Sequence, residues 1–262
     1  MSKQALVVVS FGTSHEKTRN ETIGAIERAL AKAFPQRVQK RAFTSGMIIK
    51  TLKTRDHLHI DNVTEAMESL WEEGFTDVLV QPTHIINGDE YEKMMGQLQP
   101  FREKFQRLAV GAPLLTSSAD YRRVCKSLVA QVPQIDHGNE GVALVLMGHG
   151  TGHFADAAYG ALDYRFKALG YPGIFVGTVE GYPDLDTVVN MVKKYNPQKV
   201  VLLPLMIVAG DHAINDMAGH GGDSWNSRFK KLGFETEVIL KGLGEFTEIQ
   251  DLFTEHAREA KG

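Results

Sequence analysis

The feature that most constrains the fold of this chain is a recurrent unit. A short β-branched apolar run leads into a polar or glycine-containing loop, and an amphipathic helix follows. Ala5–Val9 is the first such run and ends at Ser10-Phe11-Gly12-Thr13-Ser14. Glu16–Phe34 then reads as one helix, with Thr18, Thr22, Ile23, Ile26, Ala29, Leu30 and Phe34 at three- and four-residue spacings and Pro35 as its stop. Val38–Phe43 reads as a strand, Met47–Thr54 as a helix and Val63–Glu73 as a helix closed by Gly74. Asp77–Gln81 and Leu108–Gly111 read as further strands. Strands that alternate with helices pair in parallel through right-handed crossovers, so the spacing predicts an open α/β sheet.

The unit then restarts. Val142–Met147 is an apolar run ending at Gly148-His149-Gly150-Thr151-Gly152-His153, and Ala155–Leu169 a helix closed by Gly170. Gly173–Val179 and Lys199–Met206 read as strands on either side of a helix at Asp184–Tyr195. At an offset of 138, Ser10-Phe11-Gly12-Thr13 falls on Gly148-His149-Gly150-Thr151. At an offset of 122, Val78, Pro82, Ile85, Gly88 and Asp89 meet identical residues at Val200, Pro204, Ile207, Gly210 and Asp211. The sequence therefore reads as two similar Rossmann-like α/β halves, residues 1–135 and 141–262, each with a parallel sheet. Their boundary is expected in the turn-rich stretch Pro133–Glu140, with a ligand cleft between the carboxyl ends of the strands.

Composition removes several functional classes. Of 262 residues, 43% are hydrophobic and 23% charged, which is globular rather than disordered. A net charge of −3 supplies no basic field, so no nucleic-acid partner is expected. The longest nearly apolar run, Val200–Ala209, is about half of the roughly 20 residues a membrane span needs. The apolar run near the start is also shorter than a signal-peptide core of about 7–15 residues. Cys125, the single cysteine, can form neither an internal disulfide nor a CxxC metal clip and is read as a small core residue. A cytoplasmic protein without a membrane partner is the expectation. The first strand is followed by neither a P-loop nor GxGxxG, so no nucleotide is expected.

Three strand-end loops carry the chemistry that remains. Met147-Gly148-His149-Gly150 puts an imidazole between glycines after one strand. Ala209-Gly210-Asp211-His212 follows a later strand with a second imidazole, and Thr178-Val179-Glu180-Gly181 offers a carboxylate between them. A single histidine at a strand end is more often a hydrogen-bonding loop residue than a ligand. Together the three residues could hold a borderline divalent cation such as Co²⁺, Ni²⁺, Fe²⁺ or Zn²⁺ in an open site. The internal alignment sets Glu90 where the second half has His212. The stretch Arg37–Arg55 carries six basic residues and no acid, either a solvated face or a surface for an anionic ligand.

These segments resemble a known family. Ser-Phe-Gly-Thr-Ser near the start, RAFTSGMI at 41–48, HIINGDEYE at 84–92, MGHG at 147–150 and PLMIVAGDHAINDM at 204–217 are similar to the anaerobic cobalt chelatases of cobalamin biosynthesis. GDSW at 222–225 and GLGE at 242–245 also match, so the resemblance spans nearly the whole chain. It implies an ATP-independent, class II chelatase fold related to ferrochelatase, with Co²⁺ as substrate metal and a tetrapyrrole, sirohydrochlorin or its precursor precorrin-2, as substrate. It further implies His149 as metal ligand and proton acceptor, His212 and Glu180 as metal ligands, and Glu90 as a catalytic carboxylate. Phe11 and Met206 become candidate apolar walls, although Met206 suits core packing equally. Thr44 and Ser45 of the second motif become candidate substrate contacts. Arg55, with Arg41, Lys50 and Lys53, becomes a candidate anchor for the substrate's peripheral carboxylates. An imidazole, with a reference pKa of about 6.5, can serve first as ligand and then as proton acceptor. A non-catalytic tetrapyrrole or metal carrier, a chelatase using Ni²⁺ or Fe²⁺, and a metallohydrolase remain compatible with the residues. A homo-oligomer is compatible too, since the sequence does not fix the oligomeric state.

Overall fold

A computed structural model describes residues 2–133, 135 and 141–262. Gln134 and residues 136–140, most of the expected boundary stretch, lie outside the described residues. The chain forms two compact units, Met1–Thr116 with Thr247–Gly262 and Ser117–Phe246.

In the first unit, β1 (Gln4–Ser10) is followed by α1 (Glu16–Glu21) and α2 (Ile23–Ala33). The single helix expected over Glu16–Phe34 is broken at Thr22, where φ −108 and ψ −78 leave the helical line. The Thr22 hydroxyl donates to the Thr18 carbonyl at 2.6 Å, a local bond that competes with helix continuation. Next come β2 (Val38–Phe43), α3 (Gly46–Arg55), β3 (Asp61–Asn62), α4 (Val63–Glu72), β4 (Asp77–Pro82), α5 (Asp89–Leu98) and β5 (Arg107–Val110). The sheet is parallel throughout, in the order β3-β2-β1-β4-β5. Alternate residues of β1, namely Ala5, Val7 and Val9, join Val78, Val80, Met67, Leu70, Phe75 and Met94 in one buried cluster. Side chains in a strand alternate between faces, so Leu6 and Val8, also buried, serve the other face.

The second unit opens with α6 (Ser118–Val129) and continues through β6 (Val142–Gly148), α7 (Ala157–Ala168), β7 (Ile174–Thr178), α8 (Leu185–Tyr195), β8 (Lys199–Leu205), α9 (Trp225–Lys231) and β9 (Glu235–Val238). Its sheet is parallel in the order β7-β6-β8-β9. The chain leaves β6 for β7 on one side and crosses to β8 on the other. The topological switch point, where open sheets bind ligands, therefore lies beside the carboxyl end of β6. The last helix, α10 (Thr247–Arg258), packs on α2 and β4 of the first unit.

The units thus divide the chain after residues 116 and 246 rather than between 135 and 141. The reason is where two amphipathic helices bury their apolar faces. Helix α6 packs on α7, and α10 places Ile249, Leu252 and Phe253 in the first unit's interior. Cys125 is fully buried on α6, and burial pushes its thiol up to about 12, in keeping with a core role. Among the described residues, no helix is long and apolar enough to cross a membrane.

Candidate metal centre

The site grows out of three adjacent strands of the second unit. Strand β6 is apolar up to Met147 and buried, so it delivers the chain to Gly148-His149-Gly150 in a fixed position. Gly150 has φ +80, and a Cβ there would lie 2.4 Å from the Gly181 nitrogen. Only glycine lets the loop after β6 rest directly on the loop after β7. The Glu180 amide donates to the His149 carbonyl at 2.8 Å, and the Val179 amide reaches the same oxygen at 3.1 Å. The backbones carrying the imidazole and the carboxylate are therefore joined.

The third group comes from beyond β8. The Leu243 and Gly244 amides donate to the carbonyls of Met206 and Ile207, which steadies the chain leaving the strand. It then enters a π-helical segment, His212–Met217. Wide turns of this kind are uncommon and concentrate at functional positions. At the position related by the internal alignment, the first unit has the ordinary helix α5 instead.

One ligand atom from each of His149, Glu180 and His212 lies within 4.8 Å of the others. The two imidazoles meet edge to face, with ring centroids 4.7 Å apart, and His149 Nδ1 lies 3.8 Å from Glu180 Oε2. His149 Nδ1 also lies 2.9 Å from the Gly150 carbonyl oxygen, and His212 Nδ1 is 2.7 Å from Asp216 Oδ2. A carbonyl or carboxylate oxygen only accepts. Each neutral imidazole therefore donates its Nδ1–H there and keeps the Nε2 lone pair for a cation. Metal bonds of about 2.0–2.1 Å to such donors would set neighbouring donor atoms about 3–3.4 Å apart, so small side-chain rotations close the site on an ion. The side chains of His149, Glu180 and His212 are 44%, 57% and 38% exposed, which leaves coordination positions open on the solvent side.

The remaining candidates divide between the units. Met206 is half-buried and packs against the second unit's core, the alternative the sequence left open for it. Glu90 lies in the first unit, in the first turn of α5, with Lys93 Nζ 3.6 Å away and Oε2 buried without a hydrogen-bond partner. Phe11 is 44% exposed at the end of β1. Its carbonyl accepts from the Ser45 amide, and the Ser10 carbonyl accepts from the Thr44 amide. The Ser45 hydroxyl caps α3 through the Ile48 amide. Thr44 is buried, its hydroxyl unpartnered and its carbonyl receiving Lys93 Nζ at 2.7 Å.

The basic stretch at 37–55 is largely answered by acids from elsewhere in the chain. Arg41 forks onto Glu27, Arg37 onto Asp77, and Lys40 meets Glu73. Arg41 is therefore corrected from substrate anchor to structural ion pair, its charge held above the usual arginine range by that hydrogen bond. Arg55 bonds Asp56 and the Ser14 carbonyl, while Lys50 and Lys53 are exposed. Asp216, the partner of His212, escaped the sequence reading. Its spacing of four residues from His212 is the only local signal for it.

The model of the family described as cobalt chelatase (CbiK) matches residues 4–261. The chain belongs to this family. The chelatase is 45% identical over 258 residues to the sirohydrochlorin cobaltochelatase of Salmonella typhimurium, covering 98% of this chain and 96% of the relative. It is 32% identical over 262 residues to the sirohydrochlorin cobaltochelatase CbiKC of Nitratidesulfovibrio vulgaris, covering 99% and 91%. Among solved structures, SirB from Bacillus subtilis with Fe³⁺ superposes with a TM-score of 0.68 at 15% identity, covering 98% of this chain and 95% of that one. CbiX, described as the terminal enzyme for biosynthesis of siroheme in denitrifying bacteria, gives 0.58 at 15% identity over 99% and 100%. At that identity the structures share the chelatase's fold. The resemblance read from the motifs is thereby borne out.

Proposed function

We propose that this chelatase inserts Co²⁺ into sirohydrochlorin without a nucleotide, with His149, Glu180 and His212 holding the incoming metal. One observation carries the reading: three nitrogen and oxygen donors converge within 4.8 Å at the switch point of a sheet, in a chain of the cobalt chelatase family. Insertion exchanges one divalent cation for two pyrrole N–H protons, so the site must release a metal and take up protons at the same place. The open side of the centre suits that exchange, because macrocycle nitrogens must replace the existing ligands one at a time. His149 gives its lone pair to the metal, and once the metal leaves it can accept a pyrrole proton. Glu180, beside it, balances the cation and passes protons to solvent. Glu90, exposed Phe11, Thr44, Ser45 and Arg55 serve the macrocycle as catalytic carboxylate and substrate contacts. The mixed imidazole and carboxylate set suits Co²⁺, and also Ni²⁺ and Fe²⁺, so supply in the cell contributes to the choice.

The test is turnover. Metal-free protein at one-hundredth of the sirohydrochlorin concentration is mixed with Co²⁺, and the metallation absorbance change is followed against the uncatalysed rate. Many equivalents of product per protein are expected. A burst that stops at one equivalent would identify a carrier and contradict the proposal.

A further inference from the structure

The two loops that bear His149 and Glu180 share a fastening that does not itself touch the centre. Asp156 ends the short 3₁₀ turn Phe154–Asp156 ahead of α7. Its Oδ1 accepts the Thr151 amide at 3.0 Å, two residues beyond His149, and its Oδ2 accepts the Tyr182 amide at 2.8 Å, two residues beyond Glu180. The carboxylate lies flat against Gly181, where a Cβ would come within 2.2 Å of Oδ1 and 2.6 Å of Oδ2. Glycine at 181 therefore leaves the space that the carboxylate fills, as glycine at 150 lets the two loops touch. A carboxylate has two equivalent acceptor oxygens and no donor, and here each oxygen takes an amide from a different loop.

We infer that Asp156 is the positioning residue of the metal centre, its carboxylate setting the separation of His149 from Glu180 by holding both loops at once. Hydrogen bonds from backbone amides to an ionised carboxylate are among the stronger ones, and their geometry is directional. Loss of the carboxylate leaves all three ligands present, with the two loops held together only through the Val179 and Glu180 amides on the His149 carbonyl, so His149 and Glu180 are less firmly placed. Groups that orient metal ligands without binding the ion act in this way. Asparagine at 156 keeps one acceptor oxygen but turns an NH₂ toward the second amide, so it can hold only one loop.

The inference rests on the proposed centre, and its test separates the two. Co²⁺ titrations of metal-free wild type, Asp156→Asn, Asp156→Ala and His212→Ala are read by visible absorption. Thermal unfolding of each metal-free protein and the KM values for Co²⁺ and sirohydrochlorin are measured alongside. Asp156→Ala should weaken Co²⁺ binding about 10–100-fold, the range for such orienting partners. Asp156→Asn should weaken it less and supplies the measurement if the alanine variant does not fold. KM for Co²⁺ should rise in both while KM for sirohydrochlorin holds. A folded Asp156 variant with wild-type Co²⁺ affinity, in a protein whose His212→Ala form binds weakly, would overturn the positioning role alone. Wild-type affinity in His212→Ala would overturn the centre itself, and the inference with it.

Discussion

His84 stands just past β4 with its ring edge to Tyr91, the centroids 6.4 Å apart. The residue as a whole is half-buried, yet both ring nitrogens are closed off from solvent and neither has a hydrogen-bond partner. Burial pushes its pKa down to about 4. The folded value lies below that of the free side chain, so the unfolded chain takes the proton first and acid favours unfolding. Stability from neutral His84 is complete above about pH 6.5 and is lost as pH falls toward 4, amounting to about 2 kcal/mol between pH 7 and 5. His84→Leu should flatten that part of the pH dependence, as read by urea unfolding at the two pH values. An equally steep loss in the variant would place the titration elsewhere. The same scale shows what the sequence could say about the site. His149, Glu180 and His212 were legible because each follows an apolar strand in a loop containing glycine. Asp156 was not legible, since its partners are backbone amides whose positions depend on the folded path of residues 149–151 and 180–182. Asp216 was little better marked.

Among elements, the long apolar strands and the helices with clear stops were read almost to the residue. Helix α4 was expected over Val63–Glu73 and runs Val63–Glu72, with Asn62 and Glu65 forming a reciprocal cap. Strand β9, Glu-Thr-Glu-Val, and the two-residue β3 were not read, because short polar edge strands carry little apolar signal. Nor was α10. Its own apolar stripe calls for burial but does not name a partner, and the helix closes the first unit after the chain has built the second. This assignment has an energetic consequence. Phe253 is fully buried, so Phe253→Ala should cost about 3–5 kcal/mol, in the range for large aromatic deletions in a core. A loss below about 1 kcal/mol in urea unfolding would mean that α10 is only loosely attached.

Across the whole molecule, the two sheets repeat the same register. Ala5 pairs with Val78 and Val9 with Pro82 in the first unit, while Ala143 pairs with Val200 and Met147 with Pro204 in the second. The two sequence offsets, 138 for the first strand and 122 for the later one, are therefore both satisfied within one duplicated plan. They differ because the first unit inserts α3 and β3 between β2 and α4. The duplicated units have diverged in chemistry. At the aligned position the second carries His212 in a π-helical turn and the first carries Glu90 in an α-helix. In this account the second unit holds the metal and takes the first pyrrole proton, so the central claim depends on His149 more than on any other side chain. The most direct measurement is the rate of Co²⁺ insertion into sirohydrochlorin by wild type and by His149→Ala, each shown to be folded by circular dichroism. The account predicts insertion no faster than the uncatalysed reaction for the variant. A folded His149→Ala protein that turns over at close to the wild-type rate would contradict it.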